Sequence, residues 1–260
     1  MTHAPSSDHA VTTRYVAIGD SLSEGVGDTP WPDGTPRGWT DRLAGLLTDH
    51  LGPIEYANLA VRGYKAGQVR ALQLDAAVAL APDIVTITAG MNDILRPKVD
   101  FDELERTLAE LVEPFKDVRV MFVPIPDVSG ISPAGTLVNS RRLRLNWIYQ
   151  RLSDQLGVIP LIGTTGTVFE DARAWADDRL HLSALGHERL AMGAADALGV
   201  AVEPGWSAPP DGSVPRRTFR TEAEWLWRHA SPWIGRRVRG RSSGDGRVAK
   251  RAALGPVDAR

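Results

Sequence analysis

Every residue from Ile84 to Thr88 is β-branched, and the run is closed by Ala89-Gly90. β-Branched side chains favour a pleated backbone, and a continuous run of this kind suits a strand buried on both faces. A strand covered twice belongs to a sheet with helices on either side, so this one stretch sets the fold class.

The rest of the chain supplies the partners. Shorter runs at Tyr15–Ile18, Ile54–Ala57, Arg119–Val123 and Val158–Leu161 read as further strands. Between and after them, helical patterns cover Trp39–Leu51, Lys65–Leu80, Asp102–Phe115, Ser140–Leu156 and Ser183–Leu198, with Leu43, Leu46 and Leu47, then Leu104, Leu108 and Leu111, then Leu145, Ile148 and Leu152 on their inward faces. This alternation predicts a three-layer, doubly wound α/β fold whose five parallel strands follow the flavodoxin-like order 2-1-3-4-5. The expected organisation is a flexible N-terminus at 1–13, a main domain at 14–202, a Pro/Gly linker with a Trp-containing helical extension at 203–235, and a basic tail at 236–260.

Charge divides along the same line. Residues 205–260 hold twelve Lys/Arg against five Asp/Glu, a surplus of seven positive charges under an overall charge of −2, so the preceding body is acidic. Thr221-Glu222-Ala223-Glu224 reads as a capping box opening a short helix with Trp225 and Trp227, whereas the Arg/Gly/Ser-rich tail holds too few large apolar residues to offset its ordering entropy and reads as disordered. Such a tail could meet nucleic acid or an anionic membrane, but a solvated tail is the simpler expectation. The absence of cysteine removes disulfides, thiolate metal sites and thiol nucleophiles. The polar N-terminus lacks the apolar stretch of a signal, and a cytoplasmic protein is expected. Oligomeric state is not readable.

The polar residues that follow the strands carry the chemistry. Ser21 follows the first strand in Gly19-Asp20-Ser21-Leu22, Asn58 and Gly63 the second, Asn92 the third, and Asp178 and His181 the fifth, so all fall at the carboxyl edge where open α/β sheets seat ligands. With the second and third strands flanking the first, the Gly63 N–H and the Asn92 amide approach Ser21 from either side, as donors to a developing oxyanion would. His181 is the candidate base for the Ser21 hydroxyl, and Asp178, three residues earlier, can turn back to its Nδ1–H. Taken singly, Gly-Asp-Ser is an ordinary turn, Asn92-Asp93 a strand-end turn and Asp178 a cap. Taken jointly they would be four coincidences.

These blocks resemble those of the SGNH or GDSL-type serine hydrolases: Gly19-Asp20-Ser21-Leu22, Gly63 after an Asn-containing turn, Gly90-Met91-Asn92-Asp93, and Asp178-Arg179-Leu180-His181. The resemblance covers about residues 14–199. It implies the fold expected above, Ser21, Asp178 and His181 as triad, and the Ser21 N–H, the Gly63 N–H and Asn92 as oxyanion hole. Leu182 stands where that family usually has proline. A carboxylic ester would then be hydrolysed through a covalent acyl-enzyme, with acyl transfer, thioester hydrolysis or a non-catalytic binding role as alternatives. Members of the family resemble one another in site but act as lysophospholipases, thioesterases, sugar deacetylases and arylesterases, so the substrate expectation stops at a small-molecule ester.

Other motifs carry less. Gly240-Arg241-Ser242-Ser243-Gly244 matches a nucleophile elbow but follows no strand and precedes no histidine. Phosphate-loop, dinucleotide and His-Glu-x-x-His patterns do not occur, so no cofactor and no metal are implied. His187 is expected to pack or hydrogen-bond within the final helix, and His3, His9, His50 and His229 have no sequence partners.

Overall fold

The computed structural model describes residues 12–159, 163–212, 225, 227 and 243–257 of the chain. Four parallel strands, β1 (Arg14–Gly19), β2 (Glu55–Asn58), β3 (Ile84–Thr88) and β4 (Arg119–Phe122), stand in the order β4-β3-β1-β2, which is the order expected of them. β3 is buried throughout, as its β-branched sequence requires. Along β1 the pleat sends Tyr15 and Ala17 to one face and Val16 and Ile18 to the other, and each set enters a separate apolar core.

Helices cover both faces. On one face α2 (Trp39–Leu51) and α7 (Ala184–Ala197) bury Trp39, Leu43, Leu47, Leu190 and Ala194 against Tyr15, Tyr56 and Met121. On the other, α3 (Ala66–Ala79), α5 (Phe101–Val112) and α6 (Pro133–Leu156) bury Val69, Leu104, Leu108, Leu145 and Ile148 against Val16, Val85 and Phe122. Two single-turn helices lie at strand ends, α1 (Ser21–Glu24) after β1 and α4 (Met91–Ile94) after β3. The expected helix at Ser140 begins earlier, with Pro133 in its first turn, where a missing N–H costs nothing.

The expected fifth strand pairs at the outer edge of β4, where the expected order puts it. Among the described residues of Val158–Leu161, Ile159 bridges Met121 in parallel and its N–H donates to Val120 O at 2.8 Å. The last two residues of that stretch lie outside the described set. A strand that was not expected, β5 (Arg251–Pro256), adds to the sheet antiparallel on the outer edge of β2, in the stretch expected to be disordered. Its sequence, Arg-Ala-Ala-Leu-Gly-Pro, contains no β-branched or aromatic residue, so its order comes from anchors rather than propensity. Lys250 Nζ donates to Pro36 O, Arg37 O and Asp41 Oδ2 at 3.0, 3.1 and 2.5 Å, and Arg251 Nε donates to Tyr56 O at 2.8 Å. Both members of the Lys250–Asp41 pair are largely shielded from water, and burial pulls the Lys250 pKa below its ordinary value while Asp41 opposes the shift.

The linker is docked too. Trp206 packs on the α2/α7 core, Val168 N–H donates to Ser207 O at 2.7 Å, and Arg173 donates to Pro210 O and Asp211 O. The expected capping box at Thr221–Glu224 and Trp233 lie outside the described residues. Removal of residues 236–260 takes β5 and Lys250 with it and leaves Asp41 without its partner. The expected result is a fall in melting temperature on the order of 5–10 °C, since breaking one partner of a shielded ion pair costs about 3 kcal/mol or more. Circular dichroism melts of the two lengths check this. Equal melting temperatures would show that β5 adds nothing to the fold.

Candidate active site

The turn after β1 is built around Gly19. Its φ of +139° is disfavoured for an L side chain, and a Cβ there would overlap Thr88 Oγ1 and O of the neighbouring strand. Gln73, on the buried face of α3, uses both ends of its amide on this one residue: Gly19 N–H donates to Oε1 at 2.7 Å and Nε2 donates to Gly19 O at 2.9 Å. Asp20 then caps α1 by accepting the Leu22 N–H, which makes Ser21 the first residue of the helix. The turn closes at Gly25 (φ +96°), whose N–H donates to Ser21 O. Ser21 is half-buried at the carboxyl end of the central strand, on backbone held from three sides.

The flanking loops are tied to this turn. After β2, the buried Asn58 donates to Ser23 O and Thr40 Oγ1 and accepts the Ala60 N–H. It therefore organises the loop rather than facing the site. Arg62 grips the buried Glu24 of α1 through its own N–H, its Nε and its Nη2. Gly63 (φ +80°) follows on this clamped loop. After β3, Asn92 Nδ2 donates to Tyr64 O at 3.0 Å and to Asp20 Oδ2 at 3.2 Å, which joins the ends of all three strands. Burial raises the Asp20 carboxyl to about 6, against the opposing Leu22 N–H, His181 and Thr88. Asp93 accepts the Ala66 N–H at the start of α3, and its pKa is likewise raised by burial.

The last block forms a tight turn before α7. Asp178 Oδ1 accepts the N–H groups of Leu180 and His181, each at 3.0 Å, and Oδ2 lies 2.6 Å from His181 Nδ1. Arg179 adopts φ +55°, and the backbone bonds Arg179 N–H to Ala176 O and Ala176 N–H to His181 O close the turn around it. Burial works against the Asp178 charge, but the hydrogen bond and charge of His181 and the two N–H donors outweigh it and hold the carboxyl at about 2. The turn lies against the loop leaving Ser21: a Cβ on Gly27 would come within 3.1 Å of His181 Cβ. An aspartate fixed as an anion on an imidazole Nδ1 leaves the opposite nitrogen free to exchange a proton.

His187 has the role expected of it. It is fully buried in α7, accepts the Trp39 N–H at Nδ1, and so carries its proton on Nε2, which donates to Val26 O at 3.1 Å. Burial lowers its pKa to about 4. An unfolded histidine titrates near ~6.5, so below that pH the unfolded chain takes up a proton that the folded chain refuses. Stability supplied by His187 is complete above about 6.5 and is lost as pH falls through about 4, amounting to about 3 kcal/mol. Asp20, raised to about 6, acts in the opposite direction in the same window. A comparison with His187→Gln isolates the histidine: the wild-type advantage in urea unfolding should narrow from pH 7 to pH ~4.5. A constant difference would contradict the assignment.

The structure thus joins Ser21's own turn to Asn92, to the Gly63 loop and, through Gly27, to the Asp178–His181 turn. Sequence reasoning missed Gln73, Glu24, Arg62, Thr88 and the bridging role of Asp20. Gln73 alone left a trace, as a polar residue at a helix position sharing a face with Val69, Leu74 and Ala77. Among the described residues, no cluster of three His, Cys, Asp or Glu side chains is arranged to hold a metal ion. No helix among them is long and apolar enough to cross a membrane.

Comparison with known proteins bears on the fold and the family. No curated protein matches the chain. Among solved structures, an acetylxylan esterase of Geobacillus stearothermophilus is similar at 22% identity and TM-score 0.58, covering 75% of this chain and 96% of its own. An alpha/beta hydrolase from the metagenome of Lake Arreo, Spain, is similar at 22% identity and TM-score 0.60, covering 72% and 95%. A lipase from a goat rumen metagenome is similar at 18% identity and TM-score 0.58, covering 72% and 97%. At these identities the likeness establishes the fold. Residues 17–189 match the GDSL-like lipase/acylhydrolase family, a span that holds every block described above, and the chain belongs to that family of carboxylic ester hydrolases.

Proposed function

We propose that Ser21 is the nucleophile of an esterase, with His181 as its base and Asp178 as the residue that orients and charges the base. Ser21 Oγ attacks the ester carbonyl carbon while its proton passes to His181 Nε2. The resulting oxyanion takes hydrogen bonds from the Ser21 N–H, the Gly63 N–H and Asn92 Nδ2, which exchanges its longer contact, to Asp20, for the substrate. The C–O bond to the alcohol breaks as His181 returns the proton to the departing oxygen. Water, activated by the same histidine, cleaves the acyl-enzyme to acid and free serine.

The observation that carries this reading is the 2.6 Å contact between Asp178 Oδ2 and His181 Nδ1, in a turn set against the loop that leaves Ser21. It is supported by three catalytic mutants of the acetylxylan esterase, which replace a serine, an aspartate and a histidine three residues after that aspartate. The spacing is that of Asp178 and His181. A chain-length series of 4-nitrophenyl esters, with Ser21→Ala as control and methanol added to one set, tests the proposal. Ser21-dependent release of nitrophenol with free acid as product is expected. Release of methyl ester in place of acid would identify acyl transfer, and release independent of Ser21 would refute the mechanism.

A further inference from the structure

The peptide joining Arg62 to Gly63 is the middle one of a β-turn. Tyr64 N–H donates back to Val61 O at 3.4 Å, Gly63 has φ +80° and Arg62 a negative φ, which together make a type II turn. Types I and II differ by a half-rotation of this middle peptide, and a glycine at the third position fits both. The peptide is planar and trans, so Arg62 O and the Gly63 N–H point in opposite directions and rotate together. Where Arg62 O can go therefore decides where the Gly63 N–H points.

The outer ties of the turn do not settle this. Arg62 N–H donates to Glu24 Oε2 at 2.6 Å and Tyr64 O accepts from Asn92 Nδ2 at 3.0 Å, but both belong to the neighbouring peptides, and a flip of the middle one leaves them in place. The group that meets Arg62 O comes from the C-terminal region. Gly244 is buried, while Ser243 and residues 245–248 around it are exposed. A Cβ on Gly244 would stand 2.3 Å from Arg62 O and 3.1 Å from the Tyr64 ring. Its φ lies outside the left-handed region, so the backbone does not call for glycine there; the close approach does.

Gly244 is itself held in place. Arg247 closes a tight turn on it, donating its N–H to Gly244 O at 3.1 Å and its Nε to Ser243 O at 3.0 Å. The chain beyond is pinned by Lys250 on Pro36 O and Arg37 O and by Arg251 on Tyr56 O. We infer that Gly244 is a positioning residue for the reaction: it leaves the space that Arg62 O fills in the type II turn, and so aims the Gly63 N–H at the oxyanion. This rests on the esterase reading above and adds to it a part played by the C-terminal region, which lies outside the span 17–189 that matches the family.

The test adds side chains at Gly244 in the full chain. A methyl group there must either drive Arg62 O away, which turns the N–H with it, or lift the 243–247 turn and release the peptide. On 4-nitrophenyl acetate, Gly244→Ala should lower kcat about 10-fold and Gly244→Val about 100-fold, approaching the loss of one oxyanion donor. KM should move less than about 2-fold, because acylation and deacylation pass through the same kind of tetrahedral anion and slow together. Phenylboronic acid, whose tetrahedral adduct with a serine places an oxygen where the oxyanion forms, should inhibit each variant more weakly by about the factor lost in kcat. Rates are expressed per fluorophosphonate-titrated site, so unfolded chains do not count, and Gly244→Ala alone decides the matter should Gly244→Val fail to fold. A kcat within about 2-fold of wild type, a rise in KM alone, or unchanged boronate inhibition beside a lower kcat would overturn the inference. Failure of the esterase reading looks different: wild type would then hydrolyse no ester, or Ser21→Ala would hydrolyse it equally well.

Discussion

Replacing Ser21 by alanine should lower kcat on an aryl ester by about 10⁴- to 10⁶-fold, the range seen when a triad nucleophile is removed and only the oxyanion donors and binding remain. The fold should not notice. Ser21 contributes its backbone to α1, with its carbonyl accepting from Gly25 and Val26, and alanine preserves both bonds. Its side chain is half-buried and belongs to neither apolar core, so no cavity forms. Steady-state kinetics together with a thermal melt check the two halves of this statement. A folded Ser21→Ala protein with more than about a tenth of wild-type kcat would mean that another group attacks the ester.

Asn92→Ala should cost about 100- to 1000-fold in kcat, the effect of losing one preorganised donor to the tetrahedral intermediate. The same change also removes the link from Tyr64 O to Asp20 Oδ2, so a structural contribution is expected beside the catalytic one. Its size, about 1 kcal/mol for each ordinary hydrogen bond, is too small to unfold the chain, and Asp20 keeps its Leu22 and Thr88 donors. The two roles separate in the kinetics. Loss of the donor lowers kcat, whereas displacement of the Gly63 loop alone would raise KM with kcat preserved, and that outcome would make Asn92 a strut of the loop.

What was legible in the sequence was whatever is local. Ile84–Thr88 announced itself because five β-branched residues in a row suit one environment, and Trp39–Leu51 because its leucines keep helical spacing; both elements have the expected bounds. The Asp178–His181 contact was legible for the same reason, since a spacing of three residues is a short tether. The bridge from Tyr64 through Asn92 to Asp20 was not, because it joins three strand ends that are 28 and 72 residues apart in sequence. The antiparallel β5 was hidden more deeply. A tail rich in arginine and poor in large apolar side chains gives no core signal, and the chain there is held instead by a lysine placed among two carbonyls and a carboxylate. Composition sums over such a tail and sees only charge; the geometry of Lys250 and Arg251 is what converts that charge into a strand.

If Ser21 is the group that becomes acylated, it can be trapped covalently. An alkyl fluorophosphonate reacts with a serine hydroxyl only when a base removes its proton and donors stabilise the charged phosphoryl adduct, so it reports the nucleophile, the base and the oxyanion site together. One adduct per chain is expected by intact mass, located on Ser21 by peptide mapping, formed in step with loss of esterase activity and abolished in Ser21→Ala. An adduct on any other residue, or none in a folded sample that hydrolyses esters, would contradict acylation at Ser21.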